Sequence, residues 1–381
     1  MNLGRRASSY PVGPGWAPRI ALAMGSHTMI YRGNEMRVEK VLLAAMMAAA
    51  VVLGGGENLA QDRQLLSPAE SEVTPAARRS IEIGIKWLLA NQNPDGSWGC
   101  ERGQPPSVAL TSLSVLVLMA NGSTPERGPH STQIRRALKW IDHNKTRGGL
   151  MSAYDSTAMG EVFEHASGTL MLATLYGMSQ HKEAVEEKEK LGGLLKDALE
   201  MLAKLQVEDG GFGKNVRGAS DPGVSAMAYL ALRTGYACGI TKARANLDKL
   251  KEYGRALVNG SGGRLYPTAC AVRLFVGHNP REAFVDDVIR QLLPKRLGQD
   301  HGKMSEWDYM AAFFSVGALI HDDQSAPWKT WFPYVRDFLI KIQQPDGSWI
   351  VEYCLHCKVF ATTMALLSLQ MPGRYLPSTQ Y

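Results

Sequence analysis

The chain has 381 residues, 45% hydrophobic and 20% charged, which is the balance of a globular protein with a sizeable core. The formal charge is +6, but residues 1–60 hold six of the Lys/Arg and three of the Asp/Glu, so the remainder carries +3. That excess is too small to indicate a nucleic-acid-binding surface, and we expect no nucleic-acid partner.

The first 60 residues do not show the pattern of a folded domain. Residues 1–35 lack hydrophobic periodicity, and we predict that they are disordered or precede the true start of translation. Residues 36–60 have the order of a secretory signal peptide, with a basic lead at 36–40 and an uncharged apolar run at 41–53. The run is shorter than the ~20 residues of a membrane span. We therefore predict an exported protein, periplasmic or extracellular, that meets a membrane only through this peptide; an uncleaved anchor is the alternative.

After a linker at 61–77, hydrophobic residues recur at helical spacing from residue 78, with glycine-rich turns between the helices. The helices come in pairs, an amphipathic helix followed by one that is nearly free of charge. Because the second helices are apolar almost all round, they must be enclosed. We predict an all-α fold over 78–372 and a short tail at 373–381, with the second helices at 107–121, 165–178, 222–236, 267–278, 306–321 and 360–371.

The turn before several second helices repeats one pattern. Its best copies are NQNPDGSWG at 91–99 and QQPDGSWI at 343–350, and Gln206, Gly210 and Phe212 keep the same spacing. Asp-Gly supplies a position with positive φ that reverses the chain after a helix, and the Gln amide can bond groups left open at the helix end. The aromatic residue can fold back onto the preceding helix. We interpret the motif as a corner between two helices.

The first and last helix pairs carry the best copies of this motif, whereas the end repeats of an open stack should be atypical, polar-faced caps. We therefore predict a closed ring of six helix pairs, an (α/α)6 toroid. The apolar helices would form its inner wall and the amphipathic helices its outside.

This pattern resembles the QW-type repeats of the terpenoid cyclase and protein prenyltransferase superfamily, whose fold is an α/α toroid. The three motif copies carry the resemblance, which covers about residues 78–372. The ending FATTMALLSLQMPGRYLP at 360–377 also resembles exported bacterial prenyltransferase/squalene-oxidase repeat proteins. The resemblance implies the fold, while function must be argued from the site.

The resemblance does not favour cyclase activity. Squalene-hopene cyclases protonate an alkene with a D-x-D-D motif, which this chain lacks; its nearest acidic pairs are Asp286-Asp287 and Asp322-Asp323. Triterpene cyclases also enclose their substrate between two toroids, and the pattern here accounts for one.

Protein prenyltransferases bind zinc through Asp, Cys and His at the mouths of successive inner helices. By that likeness, Asp308, Cys354, His356 and Cys357 are candidate zinc ligands, although Met310 stands where the family has a cysteine. The alternatives for the cysteines are a small disulfide or plain packing. No cofactor is firmly implied, and zinc is the candidate.

The five cysteines are odd in number, so in an oxidising compartment at least one stays unpaired or binds something else. If the ring closes, the first and sixth turns are neighbours, and Cys100 can form a disulfide with Cys354 or Cys357. Exported thioester toroids use G-C-G-E-Q, whereas GCERGQ at 99–104 has the wrong spacing.

Five residues fall where the inner helices begin and are candidates for the mouth of the cavity. His165 is a proton shuttle, a ligand or a satisfied helix-start residue. Asp221 reads as an N-cap. Tyr266 and Trp307 line an apolar cavity or pack in the core, and Asp308 opens the fifth inner helix.

The function we predict is a single toroid that binds an apolar, isoprenoid-like ligand or a protein segment in its central cavity without catalysing cyclisation. The alternative is an isoprenoid-modifying enzyme, prenyltransferase- or terpene cyclase-like and zinc-dependent. Covalent attachment through a thioester at Cys100 is a third reading. The sequence leaves the identity of the ligand, catalysis and the oligomeric state open.

Overall fold

A computed structural model describes residues 72–144, 149–153, 160–178, 185–239, 243–260, 262–276, 283–299, 304–351, 357–373 and 376–377. The predicted signal peptide therefore lies outside the described residues. The described part of the chain forms twelve α-helices: α1 Pro75–Ala90, α2 Val108–Ala120, α3 Ser131–His143, α4 Glu161–Met178, α5 Val185–Lys204, α6 Pro222–Ala237, α7 Arg244–Gly260, α8 Leu265–Val276, α9 Ala283–Leu292, α10 Glu306–Leu319, α11 Ala326–Ile342 and α12 Lys358–Gln370. None of these helices combines the length and the apolar character of a membrane span.

The even-numbered helices form a closed inner ring. Each of them packs against the next even-numbered helix, and α12 packs against α2. The odd-numbered helices lie outside, and α11 packs against α1 where the chain returns to its starting point. These contacts confirm the predicted all-α fold and the (α/α)6 toroid.

Burial separates the two rings as the sequence pattern predicts. Every residue of α2 is buried, and so is every residue of α4 from 162 to 175. The outer helix α3 instead buries a single stripe, formed by Ile134, Ala137, Trp140 and Ile141. The inner helices are therefore enclosed around their circumference, which explains why they carry so little charge.

Side-chain caps fix where several inner helices begin. Ser107 Oγ accepts a hydrogen bond from the Leu110 amide at the start of α2. Asp221 caps α6, whose first residue is the predicted Pro222. At α10, Ser305 and Asp308 form a capping box, with each side chain accepting from the other's backbone amide. These caps gather polar side chains at one end of the ring.

Each complete corner motif is tied to the next outer helix by its glutamine. Gln92 Nε2 donates to Gly96 O in its own turn at 2.9 Å and to Gln133 O in α3 at 3.1 Å. The corner at 206–212 repeats both bonds, to its own turn and to α7, at 2.8 and 3.0 Å. The glutamine therefore joins neighbouring helix pairs as well as closing its own turn.

The last corner uses the same bonds to close the ring. Gln343 Nε2 donates to Gly347 O at 2.9 Å and to Ser80 O in α1 at 3.0 Å. Its Oε1 accepts a further bond from Ser80 Oγ at 2.6 Å. The motif at the end of the chain thus binds the first helix.

Glycine and the aromatic residue have separate roles in the corner. Gly96 has φ +100°, and a Cβ there would lie 2.6 Å from the backbone oxygen of Arg136, so conformation and close approach both require glycine. Trp98 is fully buried, and its Nε1 donates to Leu88 O at 2.9 Å. Trp349 makes the equivalent bond in the last corner at 2.8 Å. The predicted return of the aromatic ring onto the preceding helix is confirmed.

Candidate functional site

A pocket of about 350 Å³ lies at the end of the ring where α6, α8 and α10 begin, next to the C-terminal end of α7. We call it the mouth pocket. It brings together four of the five predicted mouth residues, and its lining includes Asp221, Arg264, Tyr266, Trp307 and Asp308. The starts of these inner helices, which we predicted to lie together, therefore surround a common pocket.

Asp221 serves as the cap of α6 and as the anchor of Tyr266. Its Oδ1 accepts hydrogen bonds from the amides of Gly223 and Val224 at 2.9 and 3.0 Å. The Tyr266 hydroxyl donates to the same oxygen at 3.0 Å and accepts from the Gly223 amide at 2.8 Å. Burial, followed by the nearby Cys270 and Asp221, raises the pKa of Tyr266 well above its usual value. The phenol thus stays protonated and holds its ring in place.

Two aromatic rings form a wall of the mouth pocket. The ring centroids of Tyr266 and Trp307 lie 4.8 Å apart with the planes inclined at 47°. Lys214 places its ammonium 4.7 Å from the Trp307 centroid, within cation–π range. The wall is therefore apolar on its faces and bordered by one cation.

Asp308 is held by hydrogen bonds on both carboxylate oxygens. Oδ1 accepts from the Gly298 amide at 2.8 Å, and Oδ2 accepts from the Ser305 amide at 3.0 Å and the Ser305 hydroxyl at 2.6 Å. Two of the other predicted zinc ligands, Cys354 and His356, lie outside the described residues. Across the described ranges, no three His, Cys, Asp or Glu side chains are grouped as a metal site requires. The zinc site stays a prediction.

The described lining of the mouth pocket carries charges of both signs. It contains the carboxylates of Asp221 and Asp308 and the side chain of Arg264, and the ammonium of Lys214 lies against Trp307. Sequence reasoning did not select the two cations, because a single basic residue in a corner or a short turn gives no signal of its own. Among the described lining residues, the carboxylates outnumber the cations.

His165, the fifth predicted mouth residue, lies elsewhere. It is fully buried; its Nδ1 accepts from the Met151 amide at 3.1 Å, and its Nε2 bonds Ala198 O in α5 at 2.9 Å. Burial lowers its pKa to about 4, so the ring is neutral. His165 was predicted to lie at the mouth of the cavity. The structure instead shows a neutral imidazole that joins two backbone segments, which agrees with the alternative of a satisfied residue near the helix start.

Glu164 is a buried carboxyl that sequence reasoning did not select as a site residue. It accepts from Ser107 Oγ at 2.7 Å and from the Ala153 amide at 2.8 Å, and burial raises its pKa. These bonds connect the cap of α2 with the start of α4. The residue is not part of the mouth-pocket lining, so we assign it a structural role.

Of the two cysteine pairs predicted at the junction, the structure describes one. Cys100 Sγ and Cys357 Sγ lie 3.0 Å apart where the first and last helix pairs meet. The third cysteine of that prediction, Cys354, lies outside the described residues.

A second pocket of about 330 Å³ lies on the outside of the ring between α3, α4 and α5. Its lining includes Leu138, Met171 and Leu191, and we call it the outer groove. None of the predicted site residues that the structure describes lines it.

The closed double ring of helices is an α/α toroid of the kind that terpene cyclases have. A type II terpene cyclase from Scytonema shares this fold, with a TM-score of 0.54 at 16% identity over 79% of this chain and 99% of that chain. A complex of one of its variants with its substrate geranylgeranyl dihydroxybenzoate gives 0.54 at 14% identity over 79% and 98%.

In sequence, the chain is 28% identical to a drimenyl diphosphate synthase from Streptantibioticus cattleyicolor over 157 residues, 41% of this chain and 27% of that protein. The chain thus matches about a quarter of the length of this curated relative. An alpha-amylase from Clostridium perfringens also has this architecture, with a TM-score of 0.50 at 10% identity over 77% of this chain and 97% of that chain. No protein-family model matches the chain. Proteins with different names share the fold, so the fold does not define the reaction.

Proposed function

We propose that the protein binds an isoprenoid-like molecule with an uncharged head group in the mouth pocket and does not cyclise it. The observation that carries the proposal is the aromatic wall of Tyr266 and Trp307, 4.8 Å apart, in a pocket whose two carboxylates already serve as helix caps. The sequence-based prediction placed the ligand in the central cavity; the proposal moves it to the mouth of the ring.

The size and chemistry of the mouth pocket suit an apolar ligand of modest size. Ligand pockets enclose roughly 300–1,000 Å³ and have mostly apolar walls with a few polar groups. At about 350 Å³ the mouth pocket is near the lower end of that range. Two adjoining aromatic rings give a branched hydrocarbon chain a large apolar contact area.

The acids of the mouth pocket support binding without cyclisation. Cyclisation by protonation requires a carboxylic acid that directs its proton at an alkene. Asp221 Oδ1 accepts three hydrogen bonds, and Asp308 accepts on both oxygens. Both side chains are thus engaged as acceptors that stabilise helix starts.

The charge of the described lining argues for an uncharged head group. With two carboxylates and one cation among the described lining residues, a diphosphate gains little net attraction. A hydroxyl, in contrast, can exchange hydrogen bonds with polar groups at the rim. We expect farnesol to bind more tightly than farnesyl diphosphate.

Isothermal titration of the full chain with farnesol tests the proposal. The Trp307→Ala substitution removes one of the two rings of the aromatic wall and should weaken the binding of farnesol about tenfold. Trp87→Ala, which removes an equally large ring from α1, should leave the affinity unchanged. Equal affinities in wild type and the Trp307→Ala variant, or no binding of farnesol by folded wild type, would contradict the proposal.

A second candidate function is an isoprenoid-modifying enzyme. It is favoured by the similarity to a drimenyl diphosphate synthase and to a type II terpene cyclase. Incubation with farnesyl and geranylgeranyl diphosphate, with zinc or magnesium added, followed by gas chromatography and mass spectrometry distinguishes the two. A cyclised or transferred product that disappears in the Trp307→Ala variant would establish the enzyme and overturn the proposal of binding alone.

We propose that the protein is exported, because residues 36–60 have the basic lead and apolar run of a secretory signal peptide in the usual order. Expression of the full chain in a bacterial host should yield a protein in the exported fraction whose intact mass lacks the first 60 residues. A cytoplasmic product that keeps residues 36–60 would contradict cleavage and export.

A further inference from the structure

The junction between the first and last helix pairs contains a pair of thiols that ligand binding does not use. Cys100 follows the first corner motif, and Cys357 immediately precedes α12. Their sulfur atoms lie 3.0 Å apart although 257 positions separate them in sequence. We propose that Cys100 and Cys357 form a disulfide that locks the ring at its junction.

The backbones on both sides are already aligned for the bond. The Val359 amide donates to Cys100 O at 3.2 Å, which fixes the two segments beside each other. Next to this contact, Lys358 Nζ and Glu101 Oε1 form an ion pair at 3.2 Å. A disulfide has an S–S distance of about 2.05 Å. Because the backbones are held together, closing the remaining distance requires mainly a change of side-chain torsions.

The exposure of the junction cysteines allows a small oxidant to reach them. Cys270 is buried, whereas Cys100 and Cys357 are not. Both junction cysteines are only half-buried, so a small disulfide can reach them.

The oxidant we propose is a small disulfide such as oxidised glutathione. The Cys100 thiolate attacks one of its sulfurs and releases one thiolate, leaving a mixed disulfide on Cys100. The Cys357 thiolate then attacks the Cys100 sulfur and releases the second thiolate. The two cysteines lose two electrons and two protons, and the small disulfide is reduced to two thiols.

Locking the junction should stabilise the whole toroid. A cross-link between residues so far apart closes a long loop and restricts the unfolded chain. For a domain of this size we expect the oxidised protein to unfold about 5 °C or more above the reduced protein. The test does not depend on any ligand.

The full chain is equilibrated in glutathione buffers of increasing oxidation, quenched, alkylated with N-ethylmaleimide and mapped by peptide mass spectrometry. We expect a cross-linked peptide pair containing Cys100 and Cys357, together with the rise in unfolding temperature. Cys100→Ser should abolish both effects. Cys238→Ser and Cys354→Ser should retain both and serve as matched controls.

Three results would overturn the proposal. The first is complete alkylation of Cys100 and Cys357 in protein equilibrated with oxidised glutathione. The second is a link from Cys100 to Cys354 in place of Cys357. The third is stoichiometric zinc that protects the thiols while no cross-linked peptide forms.

Discussion

At the scale of single residues, His165 shows how burial sets the charge of a side chain. Its pKa in the folded protein is about 4, below the value of about 6.5 expected in the unfolded chain. Protonation therefore favours unfolding. The stabilising contribution of the neutral ring is complete above pH 6.5 and is lost as the pH falls from 6.5 towards 4. A shift of this size corresponds to about 3 kcal/mol.

Urea unfolding between pH 7.5 and pH 4 measures this effect. Wild type should lose about 3 kcal/mol more of its free energy of unfolding over that range than the His165→Gln variant, which cannot titrate at this position. His143 is an exposed histidine, and His143→Gln should behave like wild type. Parallel pH profiles for wild type and the His165→Gln variant would show that His165 is not held neutral by burial.

The mouth residues show what single-residue reasoning can predict. Asp221, Tyr266, Trp307 and Asp308 could be grouped because each stands at the start of an inner helix, and helix starts meet at one end of a ring. His165 satisfies the same rule in sequence. It differs because its ring is turned towards the backbone of an outer helix, a contact that depends on three-dimensional packing.

At the scale of elements, the corner motif joins one helix pair to the next. Gln343 makes two hydrogen bonds to Ser80 and one to its own turn, so its loss removes the bond to the buried Ser80 hydroxyl and the bond to Ser80 O across the junction. We expect Gln343→Ala to lower the free energy of unfolding by about 2 kcal/mol. The side chain of Gln344 bonds only the nearby Ile342 O among the described residues, so Gln344→Ala should cost within about 0.5 kcal/mol.

Chemical unfolding of these two variants beside wild type decides the role of the motif. A similar small loss in both would mean that the glutamine matters only for its own turn, which is the role inferred from the sequence. A large loss in Gln343→Ala alone would support its function as a tie across the junction of the ring.

The positions of the helices could be predicted from hydrophobic periodicity, whereas the first residue of each helix was harder to predict. Helix α6 begins at Pro222 as predicted, because an Asp–Pro step marks both the cap and the first turn. Helix α4 begins at Glu161, four residues before the predicted start at His165. Gly160, with φ +83°, immediately precedes this helix, and the sequence has no Ser, Thr, Asp or Asn directly before Glu161 to signal a cap.

At the scale of the whole molecule, closure of the ring was predictable because the two best corner motifs stand in the first and last helix pairs. What the motif could not reveal is that Gln343 bonds Ser80 across the junction, since the two residues are far apart in sequence. The pocket that contains predicted site residues also lies at a different place from the expected central cavity. The inner helices are enclosed, and the described pocket that contains predicted site residues lies at the mouth.

The most direct test of the account is a photo-crosslinking map of the binding site. The full chain is irradiated with a benzophenone-bearing farnesol analogue, with and without excess farnesol, and labelled peptides are identified by mass spectrometry. We predict labelling around Tyr266 and Trp307 that farnesol prevents. Labelling concentrated in the outer groove around Leu138 and Met171, or labelling that farnesol does not reduce, would contradict the proposal that the mouth pocket binds an isoprenoid-like ligand.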